Sequence, residues 1–354
     1  MLEAPDTASD PPLSGLPDFD PVEHAHAMMG RWYTLDRQYE VGREKIREYA
    51  TAVQDDHPAH WDEQAAAALG YPALPASPTF TSVLSGAVQY AMTELLAGYN
   101  LTSSVQTDQV LDYHRPILAG DRLVSNMALR SFRQAFGGDM LVIENVLTDQ
   151  HGEAVLTGAT SVITRSGQTE ENVAATRLIQ DILHRGTDLI AERSPRLIEI
   201  PGWVPKFASY RSPHTPRLDS IREGDELPSR AVTLTIGDLV RYAGVAGDSN
   251  PIHWHTGAAH AVGLERGVVA HGILTMAYGA SFVTSWLGDP GALKQYSVRM
   301  STPVYVPIDG PTTMEYTGKI KSIDAEAGTA TVALTAMHEG RKIFGRATAV
   351  VQLT

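Results

Sequence analysis

Between Tyr242 and His253 the chain reads Tyr-Ala-Gly-Val-Ala-Gly-Asp-Ser-Asn-Pro-Ile-His, and Ala270-His271-Gly272 follows shortly after. An aspartate, Asp248, thus precedes a histidine, His253, by five positions. On an α-helix that spacing would set the two side chains about 140° apart around the axis. They could not then share one substrate. Asn250-Pro251 intervenes, and a residue before proline is pushed out of the α region. The segment is therefore read as a bent loop that folds both groups toward one point. A carboxylate and an imidazole converging on one water suit general acid–base chemistry, because an imidazole exchanges protons near neutrality.

The run from Gly272 to Leu287 is apolar nearly all round and reads as a buried helix. A helix start offers free N–H groups and a partial positive charge, and glycine lets a ligand approach the backbone. Gly272 is therefore the place where a developing oxyanion could be held. Asn250 can be a turn residue before proline or a hydrogen-bonding group for the loop or a substrate; its type alone leaves both open. Tyr242 is read as core. His253, His255 and His260 give an H-x-H-x4-H spacing with no thiolate, which is not a standard zinc arrangement. Ser249 lies beside Asp248 but lacks the Gly-x-Ser-x-Gly elbow of a serine hydrolase. No glycine-rich phosphate loop occurs, so a nucleotide cofactor is not indicated.

Taken together, Tyr-Ala-x-x-x-Gly-Asp-x-Asn-Pro-Ile-His and the later Ala-His-Gly resemble the signature of the (R)-specific enoyl-thioester hydratases and MaoC-like dehydratases. The similarity is close over residues 239–274 and looser over the rest of the C-terminal part. It implies a hot-dog fold. It implies reversible hydration of 2-enoyl thioesters, or dehydration of (R)-3-hydroxyacyl thioesters, with Asp248 and His253 activating water. Gly272, His271 and Asn250 would form the oxyanion and substrate-binding group. No cofactor is implied beyond the thioester carrier, an acyl-CoA or an acyl carrier protein. Three rivals stand beside this reading. They are the 3-hydroxyacyl dehydration step of fatty-acid elongation on a carrier protein, a non-catalytic acyl-thioester-binding protein, and a hot-dog thioesterase.

The chain also repeats itself. Tyr49 aligns with Tyr242 at an offset of 193 (242 − 49) without gaps, and ten of the 22 positions from Tyr49 to Gly70 are identical. Asp55 then corresponds to Asp248 and His60 to His253, but Pro78 and Thr79 stand where His271 and Gly272 do. Tyr113-His-Arg-Pro116 and Ala119-Gly-Asp-Arg-Leu123 resemble the N-terminal half of fused MaoC-type dehydratases. Each copy is predicted to carry a long buried helix, 80–96 and 272–287, followed by four strands. The strands are expected at 109–117, 123–133, 140–148 and 153–164, and at 295–306, 312–321, 329–337 and 342–353. The expected fold class is α+β, a double hot-dog, each copy a long helix wrapped by an antiparallel sheet. The expected boundaries are a disordered lead-in at 1–20, an N-terminal unit at 21–165, a linker with a helix at 166–213 and a catalytic unit at 214–354. The N-terminal unit is expected to be degenerate, supplying a wall of the acyl pocket.

Composition agrees with a globular protein of two domains: 354 residues, 43% hydrophobic and 19% charged. Cysteine is absent, which removes disulfides, thiolate metal sites and a cysteine nucleophile. A formal charge of −13 argues against a nucleic-acid partner. No apolar run is long enough for a membrane span. The proline-rich acidic start lacks the features of a signal peptide, so a cytoplasmic protein is expected. Two hot-dogs in one chain can satisfy the usual dimer internally, and a homodimer of double hot-dogs stays open.

Overall fold

The computed structural model describes residues 19–99, 104–135, 138–164, 170–183 and 196–354. Nearly all of the expected lead-in, and residues 166–169 and 184–195 of the expected linker, lie outside them. Among the described residues the strands form one 14-stranded sheet. Its first half runs Trp32–Leu35, Arg122–Ala135, Gly138–Thr148, Glu153–Thr164 and Val105–Tyr113. The second half continues with Leu293–Met300, Phe344–Gln352, Thr329–His338, Thr312–Asp324 and Glu226–Leu234. The halves join where Val105–Tyr113 pairs antiparallel with Leu293–Met300, Leu111 opposite Tyr296 and Gln109 opposite Val298. Neither half therefore has a free edge at the seam. This is the double hot-dog expected from the repeat.

The repeat is also visible residue by residue. Helix Arg43–Ala52 corresponds at the same offset to Ile236–Ala246 within one residue, and the two helices pack on each other. The 3₁₀ turns Pro58–His60 and Pro251–His253 match, as do the short helices Glu63–Ala68 and Thr256–Ala261. Tyr49 and Tyr242 are both buried, with ring centroids 6.3 Å apart.

Several boundaries differ from the sequence expectation, and proline explains two of them. The strand expected at 109–117 is Val105–Tyr113, and that expected at 295–306 is Leu293–Met300. Pro116 and Pro303 fall in the expected tails, and proline donates no ladder hydrogen bond. The strands Trp32–Leu35 and Glu226–Leu234 were not foreseen. The first has four residues, and the pairing of the second with Thr312–Asp324 shifts register between Tyr316 and Gly318. The linker helix spans Glu170–Leu183 and packs on Thr256–Ala261; its Ala175 and Ile179 are buried. No described helix is long and apolar enough to cross a membrane.

The two central helices are not alike. Gly272–Leu287 is a continuous α-helix, buried on almost every side. Its partner begins as a 3₁₀ turn, Phe80–Leu84, and becomes α-helical only over Ser85–Leu95. The carbonyl of Thr79 explains the difference. It accepts the Ser82 N–H at 3.0 Å and the Tyr49 hydroxyl at 2.7 Å, so the turn closes at i+3. In the second helix Gly279 lies against the sheet, where a Cβ would drive into the buried Tyr296 hydroxyl. Gly279→Ala is expected to destabilise the protein by about 1–3 kcal/mol through overpacking, read as a lowered midpoint in urea at unchanged m-value.

Candidate active site

Helix Ile236–Ala246 is started by a reciprocal cap, Thr235 with Asp238, and stopped by Gly247 at φ +74°. That left-handed residue suits glycine and turns the chain sharply before Asp248. Asp248 then accepts the Asn250 N–H at 3.3 Å, and Asn250 Oδ1 accepts the Ile252 N–H at 3.3 Å. These two bonds fold the segment into the Pro251–His253 turn. Asn250 thus uses its side-chain oxygen on the loop itself. Trp254 Nε1 donates to the Ser249 carbonyl at 3.1 Å and ties the loop from the other side.

His253 is 9% exposed. Its Nδ1 lies 2.8 Å from the Val269 carbonyl, which can only accept, so Nδ1 carries the proton. Nε2 is left with a free lone pair in the neutral ring. Burial holds the pKa of His253 below its ordinary 6.5, against the opposing pull of Asp248 and the Val269 bond. The ring is therefore neutral at physiological pH.

His271 is 1% exposed and stacks on His253, centroids 3.7 Å apart and planes 24° from parallel. Its Nε2 donates to the backbone carbonyl of Asp248 at 3.3 Å. Burial, then the neighbouring His253, push its pKa down to about 2. Read in the sequence as part of the substrate-binding group, its side chain instead reaches the Asp248 backbone and the His253 ring. His271 also caps the helix that Gly272 opens. The N–H groups of the first turn have no acceptor within the helix. At Gly272 a Cβ would come 2.7 Å from Met300 Sδ, so this position admits no side chain without moving Met300.

Asp248, His253 and His271 each bring a donor atom within 4.8 Å of the others. A metal would need the two imidazole lone pairs to converge. Nearly parallel stacked rings send their in-plane lone pairs side by side. The arrangement suits a water held between the Asp248 carboxylate and His253 Nε2.

The equivalent place in the first half is closed. Asp55 Oδ2 lies 3.1 Å from His60 Nε2, and both side chains are fully buried. His60 Nδ1 bonds the Pro75 carbonyl at 2.8 Å, as His253 bonds Val269. His57, which takes the place of Asn250, reaches the Gly288 carbonyl at 3.0 Å. The turn after Gly288 carries Asp289, which is buried and bonded by Tyr71 and Ser212. Together these groups seat the first half's loop against the end of the second central helix.

Comparison with known proteins agrees with this architecture. Residues 27–158 match the family model of the FAS1-like dehydratase domain region, and residues 222–337 that of the MaoC-like domain. A UPF0336 protein of Mycolicibacterium paratuberculosis is 37% identical over 155 residues, 44% of this chain and 89% of the relative. A UPF0336 protein of Mycobacterium tuberculosis is 41% identical over 128 residues, 36% of this chain and 77% of the relative. A Mycobacterium tuberculosis structure described as a double hotdog fold superposes with a TM-score of 0.59 at 13% identity, over 92% of this chain and 96% of that one, a likeness of fold alone. A solved MaoC-like dehydratase is 42% identical, covers 93% of this chain and 100% of its own, and superposes with a TM-score of 0.85. With two dehydratase-type halves and that overall likeness, the chain belongs to the MaoC-like dehydratase family.

Proposed function

We propose that the protein hydrates 2-enoyl thioesters to (R)-3-hydroxyacyl thioesters, and runs the reverse dehydration, at one site per chain. The observation that carries this is the neutral His253, its Nε2 free beside the Asp248 carboxylate and next to the open start of a buried helix. In the hydration direction a water bridges Asp248 and His253 Nε2. His253 takes a proton as the water oxygen bonds to C3. The π-electron pair moves toward C2 and onto the thioester oxygen. That oxygen, now enolate-like, is held by backbone N–H at or beside Gly272 and by the helix dipole. The proton is then delivered to C2, and the site returns to its starting state. His271 positions this machinery by fixing the Asp248 backbone and the face of the His253 ring. No cofactor enters any step. The carrier is coenzyme A or an acyl carrier protein. The soluble thioesters meet the protein in the cytoplasm in this reading, either with the single chain or with a homodimer of double hot-dogs.

The first half keeps the acid–base pair but not the machinery around it. Pro78 and Thr79 replace His271 and Gly272, and the Thr79 carbonyl is already engaged by Tyr49. Proline offers no N–H, and the pair is sealed from solvent. Without an oxyanion hole a loss of about two to three orders of magnitude is expected. Asp55 and His60 then act as an internal ion pair, and the first half as a wall of the acyl site.

Asp248→Asn and His253→Ala are each expected to lower kcat by two or more orders of magnitude with folding retained, followed as loss of crotonyl-CoA absorbance. Near-native turnover in either variant removes the assigned role. The same assay separates the rival classes. Thioester cleavage would release free thiol, and binding alone would change neither signal.

Because His253 must be neutral to accept a proton and its pKa is lowered, kcat/KM should stay level through neutrality. It should fall only along an acid limb centred below 6.5. A limb centred above that value would contradict the assignment.

The Asp55–His60 pair should show itself in stability instead. Burial opposes the charge on both groups, but their mutual attraction prevails: Asp55 titrates below its ordinary 3.8 and His60 above its ordinary 6.5. The Asp55 contribution is present above 3.8 and lost as pH falls through its lower folded value. The His60 contribution is full below 6.5 and lost as pH rises through its higher folded value. Urea melts should therefore show wild type losing stability above neutrality relative to an Asp55→Leu/His60→Leu protein. Asp55→Ala alone, which strands a buried partner, should cost about 3–5 kcal/mol. Asp55→Asn/His60→Ala should keep most of the turnover per folded molecule. A loss like that of Asp248→Asn would show that the first half catalyses too.

A further inference from the structure

The 3₁₀ start of the first central helix leaves a cavity of about 120 Å³ between the Thr79–Ser82 turn and strands Val105–Tyr113, Gly138–Thr148 and Glu153–Thr164. It adjoins the candidate site. Ile273, the residue after Gly272, forms one of its walls. Ser82 donates to the Tyr49 hydroxyl at 2.9 Å, Tyr49 lies against Tyr242, and the Tyr242 ring is 4.8 Å from that of His271. Gly86, a turn further on, faces the carbonyl of Gly247, the residue before Asp248. A thioester whose oxygen sits at Gly272 therefore has this cavity as a path for its acyl tail.

The lining is unusual for a hydrocarbon tail. Thr79, Thr81, Ser82, Gln109, Asn145 and Thr160 face it beside aliphatic residues. The second half of the same chain supplies an internal control. There the central helix packs on strands Leu293–Met300 and Thr312–Asp324, whose Tyr296, Val298, Met314 and Tyr316 are buried. The fold thus does not require amides at inward sheet positions, and burying them costs free energy unless they are satisfied.

Gln109 is 7% exposed and held rigidly. Its Oε1 accepts from Thr160 Oγ1 and from Gln106 Nε2, each at 2.8 Å. Its Nε2 donates to the Val110 carbonyl at 3.3 Å, which uses one of two N–H groups. Gly158 opposite leaves room at that nitrogen, since a Cβ there would lie 3.6 Å from Nε2. Asn145 is oriented in the same way, its Oδ1 taking the Ser125 hydroxyl at 2.7 Å and leaving the NH₂ end for a ligand. Both amides are fixed by their oxygens and offer N–H donors. None of the described lining residues is ionisable.

We propose that this pocket selects a short acyl chain that carries a neutral hydrogen-bond acceptor, such as a hydroxyl, keto or ether oxygen, near its far end. The inference rests on the hydration reading above for its orientation. The volume bounds the length: about 120 Å³ is a little less than the roughly 150 Å³ of a cavity that holds one benzene ring. Chains of roughly four to six carbons fit, and longer ones do not. A terminal carboxylate would meet no cation among the described lining residues and is disfavoured.

The test is a panel of CoA thioesters with the whole protein: 2-hexenoyl, 6-hydroxy-2-hexenoyl, 2-hexenedioyl with its free carboxylate, and 2-decenoyl. The hydroxylated substrate should exceed 2-hexenoyl in kcat/KM by about tenfold, since the apolar tail leaves buried amide donors unpaired. The other two should fall below 2-hexenoyl. Gln109→Leu should erase or invert the hydroxyl preference, with circular dichroism and a melt confirming the fold. Equal or better turnover of 2-hexenoyl or 2-decenoyl by wild type overturns the proposal, as does a folded Gln109→Leu protein with the ratio unchanged. Calorimetric affinities for the saturated 6-hydroxyhexanoyl-CoA and hexanoyl-CoA separate this claim from the hydration reading. If no enoyl thioester reacts but the hydroxylated analogue binds about tenfold more tightly, hydration fails and the pocket stands. If hydration proceeds and the two analogues bind alike, the pocket assignment fails.

Discussion

The antiparallel ladder between Val105–Tyr113 and Leu293–Met300 is the constraint on which the rest depends. It fuses two sheets edge to edge and sets the halves about a pseudo-twofold relation. Helices Arg43–Ala52 and Ile236–Ala246 then have to meet, and with them Tyr49 and Tyr242. The loops that leave those helices carry the two Asp/His pairs. Each pair is therefore brought to the boundary between halves by the sheet, and what it finds there decides its character. One meets the open start of a helix. The other meets its own 3₁₀ turn and the buried Asp289 clip from the opposite half.

Burial acts in opposite senses on two histidines that occupy the same place in the repeat. His253 sees a carboxylate that makes no direct short contact with its ring, so desolvation prevails and the ring stays neutral. His60 touches Asp55 at 3.1 Å, so attraction prevails over desolvation and the ring favours its charged form. A neutral imidazole can take a proton from water; a sealed imidazolium cannot. The same two residue types in the same place of the repeat thus give a neutral imidazole near a carboxylate in one half and an internal ion pair in the other.

Much of this was legible in the sequence, for identifiable reasons. The gapless match from Tyr49 to Gly70 marked the duplication, and paired helices, turns and short helices follow it in register. Residues with a single strong chemical reason to be where they are, such as Pro251 and Gly272, were readable as a turn and a helix start. Asp248 and His253 do come together, as their proline-bent spacing indicated. What the sequence hid was set by distant partners. The 3₁₀ start at Phe80–Leu84 depends on a hydroxyl thirty residues upstream, on Tyr49. The turning of His271 toward the Asp248 backbone depends on burial that no local pattern reveals. Gln109, Asn145 and Thr160 sit in strands whose alternation looks ordinary, and only the register across three strands brings their side chains to one cavity.

The linker helix Glu170–Leu183 has a further consequence. It packs on Thr256–Ala261, directly after His253, while its chain tethers one half to the other. Covalent tethering raises the local concentration of each half around the other to the millimolar range. Two second halves meeting each other would make a symmetric object with two Asp248/His253 loops and without the cavity lined by Gln109 and Asn145. Two first halves would make one with none. The tether favours the unlike pairing over pairing with a copy from another chain. Because the halves always travel together in equal number, the loop of one can differ from the loop of the other. One half can change its cavity lining without any loss of partners, and the fused chain behaves as an obligate heterodimer encoded once.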